Sequence, residues 1–439
     1  MESDAASKDS GECIISQLSF FSKPPLLSAI SEQFFETLFP VAPLSDSNDI
    51  IEFNLEAQDC FISLAESLIS LKVKIVQDDG TPLPAGEVVS LIDYPLNSLW
   101  KNVDFRLNNQ SLTSCYSTYA YLAYLETYLE ASRDYRTSKG QASGIYTEDD
   151  KTNIAWTLPC GFRERGALFA ESRIASFCGI FHHPLANQPR FMIPLLGMSW
   201  SFQKQPASFV IKAEEDKPYR YTIVDMRLHV KKVRMSSDFQ VAFERQFKND
   251  GLCFYNISQN QIKDYTISAG LASYNIEAPF LASFVPNRVY VMLVKQNAFL
   301  GSMQTDPMDF QTFNLMSMRW LMDGRSYPSS QWTTQFGGAN PDYTEAFLSL
   351  FNYDLRSNGG NAVDMSNFLT GWAIFSFSLG QPQACSDGEL TFPRKLSTPR
   401  LSMQFRTPLV DPIKVLIMSK SDELLAIDSL RTIHRNYNL

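Results

Sequence analysis

Along most of this chain apolar and polar positions alternate in short runs, and the period is two. Leu71-Lys-Val-Lys-Ile-Val76 alternates and then meets the turn cluster Asp78-Asp-Gly-Thr-Pro82. Val103-Asp-Phe-Arg-Leu107 alternates again and stops at Asn108-Asn109, whose side chains tolerate positive φ. Successive side chains of a strand point to opposite faces, so each run predicts a half-buried strand feeding a tight turn. Tyr219 to Val233 is the longest such run and predicts one long strand. Further strands are expected at Ile174 to Phe181, Phe191 to Leu196, Met198 to Phe202 and Phe209 to Lys212. Between Tyr116 and Glu130 the rhythm changes. Tyr121, Leu122, Leu125, Tyr128 and Leu129 recur at helical spacing, which predicts a helix packed on its own sheet. Ala131 to Trp156 is polar and rich in breakers, and reads as a long exposed loop.

The second half repeats this order. Strands are expected at Val289 to Val294 and Leu315 to Met322, then a turn at Asp323-Gly324 and a helix near Tyr343 to Tyr353. Strands at Gly371 to Leu379, Leu401 to Phe405 and Ile413 to Met418 follow. Val103, Phe105, Leu107 and Asn109 align with Met318, Trp320, Met322 and Gly324 at one constant offset of 215 residues (318 − 103). The match is of pattern and not of identity, and it points to a duplicated domain. Residues 1–47 carry Phe34, Phe35, Phe39 and several prolines without sustained periodicity, and read as an extended arm. The expected division is therefore an arm at 1–47, a first β domain at 48–235 and a second at 236–439.

Two cores suit a length of 439 residues, which exceeds what one hydrophobic core usually serves. Immunoglobulin-type sandwiches of about 100 residues would require four units, whereas the pattern shows two. Long connections and one helix per half fit eight-stranded jelly rolls better than meanders. The expected fold class is all-β, two tandem eight-stranded jelly rolls with a short helix in each.

Charged residues are only 19% of the chain and aromatic residues 13%, a balance that favours strands and large subunit contacts. The net charge of −9 argues against a nucleic-acid coat, because neutralising phosphates needs clustered Lys and Arg. Lys231-Lys232 and Arg163 to Arg165 are too short to reverse that. Seven scattered Cys without a CxxC pair read as reduced thiols. Met1 to Glu12 lacks the basic and apolar regions of a secretory signal, so a protein made soluble inside the cell is expected.

Several segments, in order, resemble the major capsid proteins of Polinton (Maverick) elements and adintoviruses. They begin with Leu18-Ser-Phe-Phe-Ser-Lys-Pro-Pro25, Ile51-Glu-Phe-Asn-Leu55 and Phe61-Ile-Ser-Leu64. Tyr94 to Asn109 and Tyr119-Ala-Tyr-Leu-Ala-Tyr-Leu-Glu126 follow, then Val285 to Ser302, Asp306-Pro-Met-Asp-Phe310 and Phe313-Asn-Leu315. Phe368 to Leu379 and the tail from Leu401 to Arg431 complete the series. Trp100 departs from the pattern, which has a smaller aromatic there. The resemblance implies a double jelly-roll subunit that forms a homotrimer of pseudo-hexagonal outline. Neighbouring capsomers, penton and minor capsid proteins would be its partners in an icosahedral virion shell around double-stranded DNA. The arm at 1–47 and the tail after Met418 are the candidate inter-subunit contacts.

No catalytic, cofactor-binding or metal-binding residue is assigned. His182-His183 lacks acidic or Cys neighbours at ligand spacing and reads as a loop or strand end. A Cys178/His182 nucleophile pair would need a spatial relation that proximity in sequence does not supply. Asp78-Asp79, Glu148-Asp149-Asp150 and Glu214-Glu215-Asp216 read as solvated turns, with calcium as the alternative. Gly337-Gly338 and Gly359-Gly360 lack the Lys-Ser or Lys-Thr of a phosphate loop, and Gly197-Met-Ser199-Trp-Ser201 lacks the second glycine of a nucleophile elbow. Arg288, Arg319, Arg325, Arg394, Arg400, Arg406, Arg431 and Arg435 are expected to pair with loops or neighbouring subunits. The alternative to a shell subunit is a carbohydrate-binding or attachment β-sandwich, and no motif supports an enzyme.

Overall fold

The computed structural model describes residues 28–113, 117–146, 151–152, 160–214, 217–280, 285–329, 332–351, 360–361, 363–379 and 396–435. In the first half the strands are β1 (Ile30–Leu38), β2 (Ile50–Leu55), β3 (Phe61–Gln77), β4 (Val89–Leu91), β5 (Trp100–Leu107), β6 (Gln110–Ser111), β7 (Ala175–Gly179), β8 (Met198–Lys204), β9 (Ile211–Ala213) and β10 (Tyr219–Met235). The second half holds β11 (Leu252–Ile267), β12 (Ser273–Glu277), β13 (Arg288–Lys295), β14 (Leu315–Met322), β15 (Arg325–Tyr327), β16 (Ile374–Ser378), β17 (Arg400–Phe405), β18 (Ile413–Asp428) and β19 (Ile433–Arg435). The helices are α1 (Pro95–Ser98), α2 (Tyr119–Glu130), α3 (Arg133–Thr137), α4 (Gly161–Ala167), α5 (Ala207–Val210), α6 (Ser237–Asp250), α7 (Gln296–Leu300) and α8 (Thr344–Leu348).

Two four-stranded sheets form the first half, in the orders β1-β10-β3-β7 and β2-β8-β5-β6, and the small pair β4-β9 accompanies them. The second half has the orders β11-β18-β13-β16 and β12-β17-β14-β15, with β19 added beside β18. Replacing β1, β10, β3 and β7 by β11, β18, β13 and β16 converts one sheet into the other, and the second pair of sheets corresponds in the same way. Each half is thus an eight-stranded double-sheet roll of one shared topology, as the offset of 215 residues predicts. That offset aligns β5 with β14, which occupy equivalent places. Even their turns agree, because Asn108 and Asn109 (φ 46° and 65°) and Asp323 and Gly324 (φ 51° and 74°) all take the positive φ of a two-residue hairpin.

Alternation sets which way each strand faces. In β5, Trp100, Val103, Phe105 and Leu107 are buried, while Arg106 points out and pairs with Asp104 at 2.7 Å. On the same face of the sheet, Phe105 packs against its cross-strand partner Trp200 of β8 at 5.3 Å between ring centroids.

Several elements differ from expectation. Residues 30–38, within the expected arm, form β1 and pair with β10 from Ile30↔Met235 to Leu38↔Leu228. Phe191 to Leu196 makes only an isolated bridge, Ile62↔Met192, because Pro189 and Pro194 remove ladder donors and Leu195 turns to φ 63°. Phe209 to Lys212 is split between α5 and β9. The expected exposed loop at 131–156 is instead structured over its described part: α3 and a 3₁₀ turn fill it, and Arg136, Ser143, Ile145 and Lys151 are buried. The tail after Met418 continues β18 to Asp428 and returns as β19, so its described residues pack within this chain.

Candidate functional site

Helix α2 carries the seam between the rolls. Its sequence YAYLAYLETYLE is mostly apolar, and Tyr119 to Tyr128 are buried without a break. A helix with apolar residues on every side needs cover on every side. The expectation that it packs on its own sheet describes only half of that cover. On the side facing the second roll, Tyr121 stacks on Phe299 at 5.7 Å, Tyr124 stacks on Trp372 at 5.6 Å, and Tyr128 meets Trp372 at 4.4 Å. Aromatic pairs at these separations contribute beyond their buried area, by about 0.5–1.5 kcal/mol each.

Two glycines let the second roll approach this closely. At Gly371 (φ 104°) a β-carbon would stand 2.5 Å from Lys151 Cβ, and at Gly301 (φ 107°) it would stand 2.8 Å from Ser208 Oγ. Backbone bonds cross at the same places: Lys151 N donates to Thr370 O at 3.0 Å, and Ala213 N donates to Met303 O at 2.9 Å.

Buried polar groups then pin the joint. Asp93 receives Lys151 Nζ at 3.5 Å, Arg165 NH1 at 3.4 Å and the Tyr128 hydroxyl. The Lys151 ammonium also lies 4.5 Å from the ring centres of both Tyr124 and Trp372, one from each roll. Glu126 accepts from His182 Nδ1 at 2.7 Å, from Asn187 Nδ2 at 3.3 Å and, across the seam, from Asn260 Nδ2 of β11 at 2.6 Å. Burial works against its charge, yet these hydrogen bonds hold its carboxyl below the ordinary value. Lys212 Nζ donates to the carbonyls of Phe209 at 2.8 Å, Ser208 at 3.2 Å and, from the second roll, Ser302 at 2.7 Å. Burial pushes its amine down to about 7. Arg431, in the turn between β18 and β19, reaches back to Pro194 O at 3.0 Å and Glu244 of α6 at 3.1 Å.

His182-His183 is therefore interior. His182 Nε2 lies 2.8 Å from the Tyr94 hydroxyl and 3.1 Å from Thr127 Oγ1. Glu126, His182 and Thr127 line up as acid, imidazole and hydroxyl, but Thr127 Oγ1 donates to Ala123 O at 2.9 Å and all three are buried. Their bonds tie α2 to the His182 segment and, through Asn260, to β11. His183 packs on Phe105 at 4.7 Å, and burial pushes its imidazole down to about 4. Cys178 sits in β7, where burial raises its thiol, and none of the hydrogen bonds of His182 reaches it.

Asp78-Asp79 is an exposed turn in which Asp79 Oδ1 accepts from Thr81 N at 2.8 Å. Among the described residues, no three His, Cys, Asp or Glu are placed to hold a metal ion. Gly197 immediately precedes β8 and Ser199 lies within it, so Ser199 is followed by strand and not by the helix that an elbow would need. Three of the arginines bind loops and strands of their own chain: Arg288 takes Ser376 Oγ at 2.9 Å, Arg406 takes Thr334 O at 2.7 Å, and Arg435 grips buried Glu423 at 2.6 and 3.0 Å. Glu148-Asp149-Asp150, Glu215-Asp216, Gly359 and Arg394 lie outside the described residues. No described helix is long and apolar enough to cross a membrane. Sequence reasoning missed Glu126, Asp93, Lys151, Lys212 and Asn260. The only signal for them was a set of polar residues inside apolar surroundings.

The fold is that of the double jelly roll. A chain of the Sputnik virophage, determined by cryo-EM, superposes with a TM-score of 0.65 at 10% identity, covering 99% of this chain and 94% of its own. The mavirus major capsid protein matches at 0.59 and 12% identity, covering 100% of this chain and 96% of its own. The Faustovirus major capsid protein matches at 0.52 and 9%, covering 93% and 92%. By sequence, an uncharacterized protein of Caenorhabditis elegans is 22% identical over 356 residues, 78% of this chain and 81% of that protein. No family model matches the chain.

Proposed function

We propose that this chain is a major capsid protein, three copies of which close a pseudo-hexagonal capsomer that tiles an icosahedral shell around double-stranded DNA. The observation that carries the reading is the shared topology of two rolls locked at a buried seam, in a fold that covers the whole mavirus major capsid protein at near full length. Two similar rolls per chain, taken three times, give six similar wedges around one axis. The function is assembly and not catalysis. Contacts to neighbouring capsomers, pentons and minor capsid proteins fall to exposed loops and to residues preceding β1. The net charge of −9 leaves genome packaging to other proteins. A Polinton or adintovirus origin rests on the ordered sequence resemblance.

Electron microscopy of the purified chain tests this reading. It predicts particles of hexagonal outline with threefold symmetry, and single two-lobed monomers at micromolar concentration would contradict it. Removal of residues 1–27, which leaves β1 in place, is expected to preserve capsomers and impair shell closure.

A further inference from the structure

The loop from Gly301 to Gln311 runs along the seam and places two acids, Asp306 and Asp309, under the first roll. Asp309 is only 7% exposed. Its carboxylate accepts from Thr152 Oγ1 of the first roll at 3.1 Å and from Gln311 Nε2 of its own loop, and both donors are neutral. Gly371 closes over it from the second roll, so near that a β-carbon there would stand 3.0 Å from Asp309 Oδ1. A buried carboxylate held only by neutral donors costs free energy when ionised.

The charged groups around it do not remove that cost. Asp306 lies in the same loop and adds like charge, while Lys295 at the end of β13 acts in the opposite sense. Lys151 lies alongside, but its amine is engaged by Asp93 and the Tyr124 hydroxyl. Lys212 of β9 interacts with Asp306 and is held by three carbonyls. On the remaining side, Tyr121 of α2 faces Asp306 and Asp264 of β11, and Asp264 is paired with Lys414 of β18 at 2.6 Å.

We propose that the seam is proton-operated: when Asp309 takes up a proton the two rolls hold each other more tightly, and when it releases the proton the seam loosens. Burial first, with Asp306 adding to it, raises the Asp309 carboxyl from 3.8 to about 6. The folded chain therefore binds this proton more tightly than the unfolded chain. The resulting stabilisation is complete below pH 3.8 and is lost as pH rises through 6. His183 and Lys212 act oppositely: His183 falls from 6.5 to about 4, so its stabilisation is present above 6.5 and lost as pH falls through 4, and Lys212 falls from 10.5 to about 7, so its stabilisation is present above 10.5 and lost as pH falls through 7. The Asp309 effect must accordingly be read locally and against a variant. The inference concerns the single chain and stands whether or not three chains close a ring.

Hydrogen–deuterium exchange of the full-length chain between pH 5.0 and 7.5, corrected for intrinsic rates, tests it in wild type, Asp309→Asn and Asp306→Asn. Peptides covering 301–311 and α2 in the wild type are expected to gain about threefold or more protection on acidification, with a midpoint near pH 6. Asp309→Asn is expected to lack the step, and Asp306→Asn to move it to lower pH. Protection in the wild type that is flat or falling relative to Asp309→Asn, the same step in Asp309→Asn, or an unmoved midpoint in Asp306→Asn would each overturn the proposal. Should Asp309→Asn fail to fold, the midpoint in Asp306→Asn against that of the wild type still decides.

Discussion

At position 371 a side chain as small as a methyl group has nowhere to go. Gly371 holds φ 104° with Lys151 Cβ 2.5 Å from where a β-carbon would sit, so Gly371→Ala combines backbone strain with overpacking. A loss of about 2–4 kcal/mol is expected, read from the denaturant midpoint. Gly337, whose β-carbon would meet nothing within 4 Å, supplies the control, and Gly337→Ala is expected to change stability by less than about 0.5 kcal/mol. Glu126 is the polar counterpart of this constraint. Glu126→Ala leaves His182, Asn187 and Asn260 facing a buried hole, and a loss of about 3 kcal/mol is expected by the same measurement. Neither residue stood out in the sequence. The His182-His183 pair was visible, but its acid lies 56 positions earlier and the amide that completes it lies on β11 of the other roll. Such a site exists only after two distant segments meet.

Among the elements, α2 does two jobs that its spacing alone could not separate. Tyr121, Leu122, Leu125, Tyr128 and Leu129 predicted an amphipathic helix, and the helix is there. Tyr119, Ala123 and Tyr124 are buried too: Tyr119 bonds Asn97 and His182 of the first roll, whereas Tyr124, with Tyr121 and Tyr128, meets rings of the second. Tyr124→Ala removes a ring stacked on Trp372 and a hydroxyl partner of Lys151, and is expected to cost about 3–5 kcal/mol. Calorimetry should then show the rolls unfolding in two transitions in place of one, and a single sharp transition would count against α2 as the link. The elements that escaped prediction share a cause. Strand β11 reads LCFYNISQNQIKDYTI, whose Asn and Gln break the apolar rhythm and whose buried positions change parity between Ile257 and Asn260, so no single alternating face marks it. Helix α6 is polar on average, yet Phe243 packs on Phe61 at 5.2 Å and on Phe247 at 5.6 Å. The segment beyond Ala131 looked like a loop because its polar residues, Arg136 and Lys151 among them, are buried by partners that no local pattern reveals.

For the whole molecule, duplication was legible because hairpin chemistry is local. Asn108-Asn109 and Asp323-Gly324 mark equivalent turns, and the strands before them alternate in step. The seam was not legible, since its contacts join positions 121 with 299, 124 with 372 and 126 with 260. With that seam buried, the two rolls form one unit, and the proposed ring would repeat that unit three times around one axis. Multi-angle light scattering on the full-length chain at micromolar concentration tests this most directly. The account predicts a stable species of about 149 kDa, three times the 49.7 kDa chain, and a mass that stays near 50 kDa across the concentration range would contradict it.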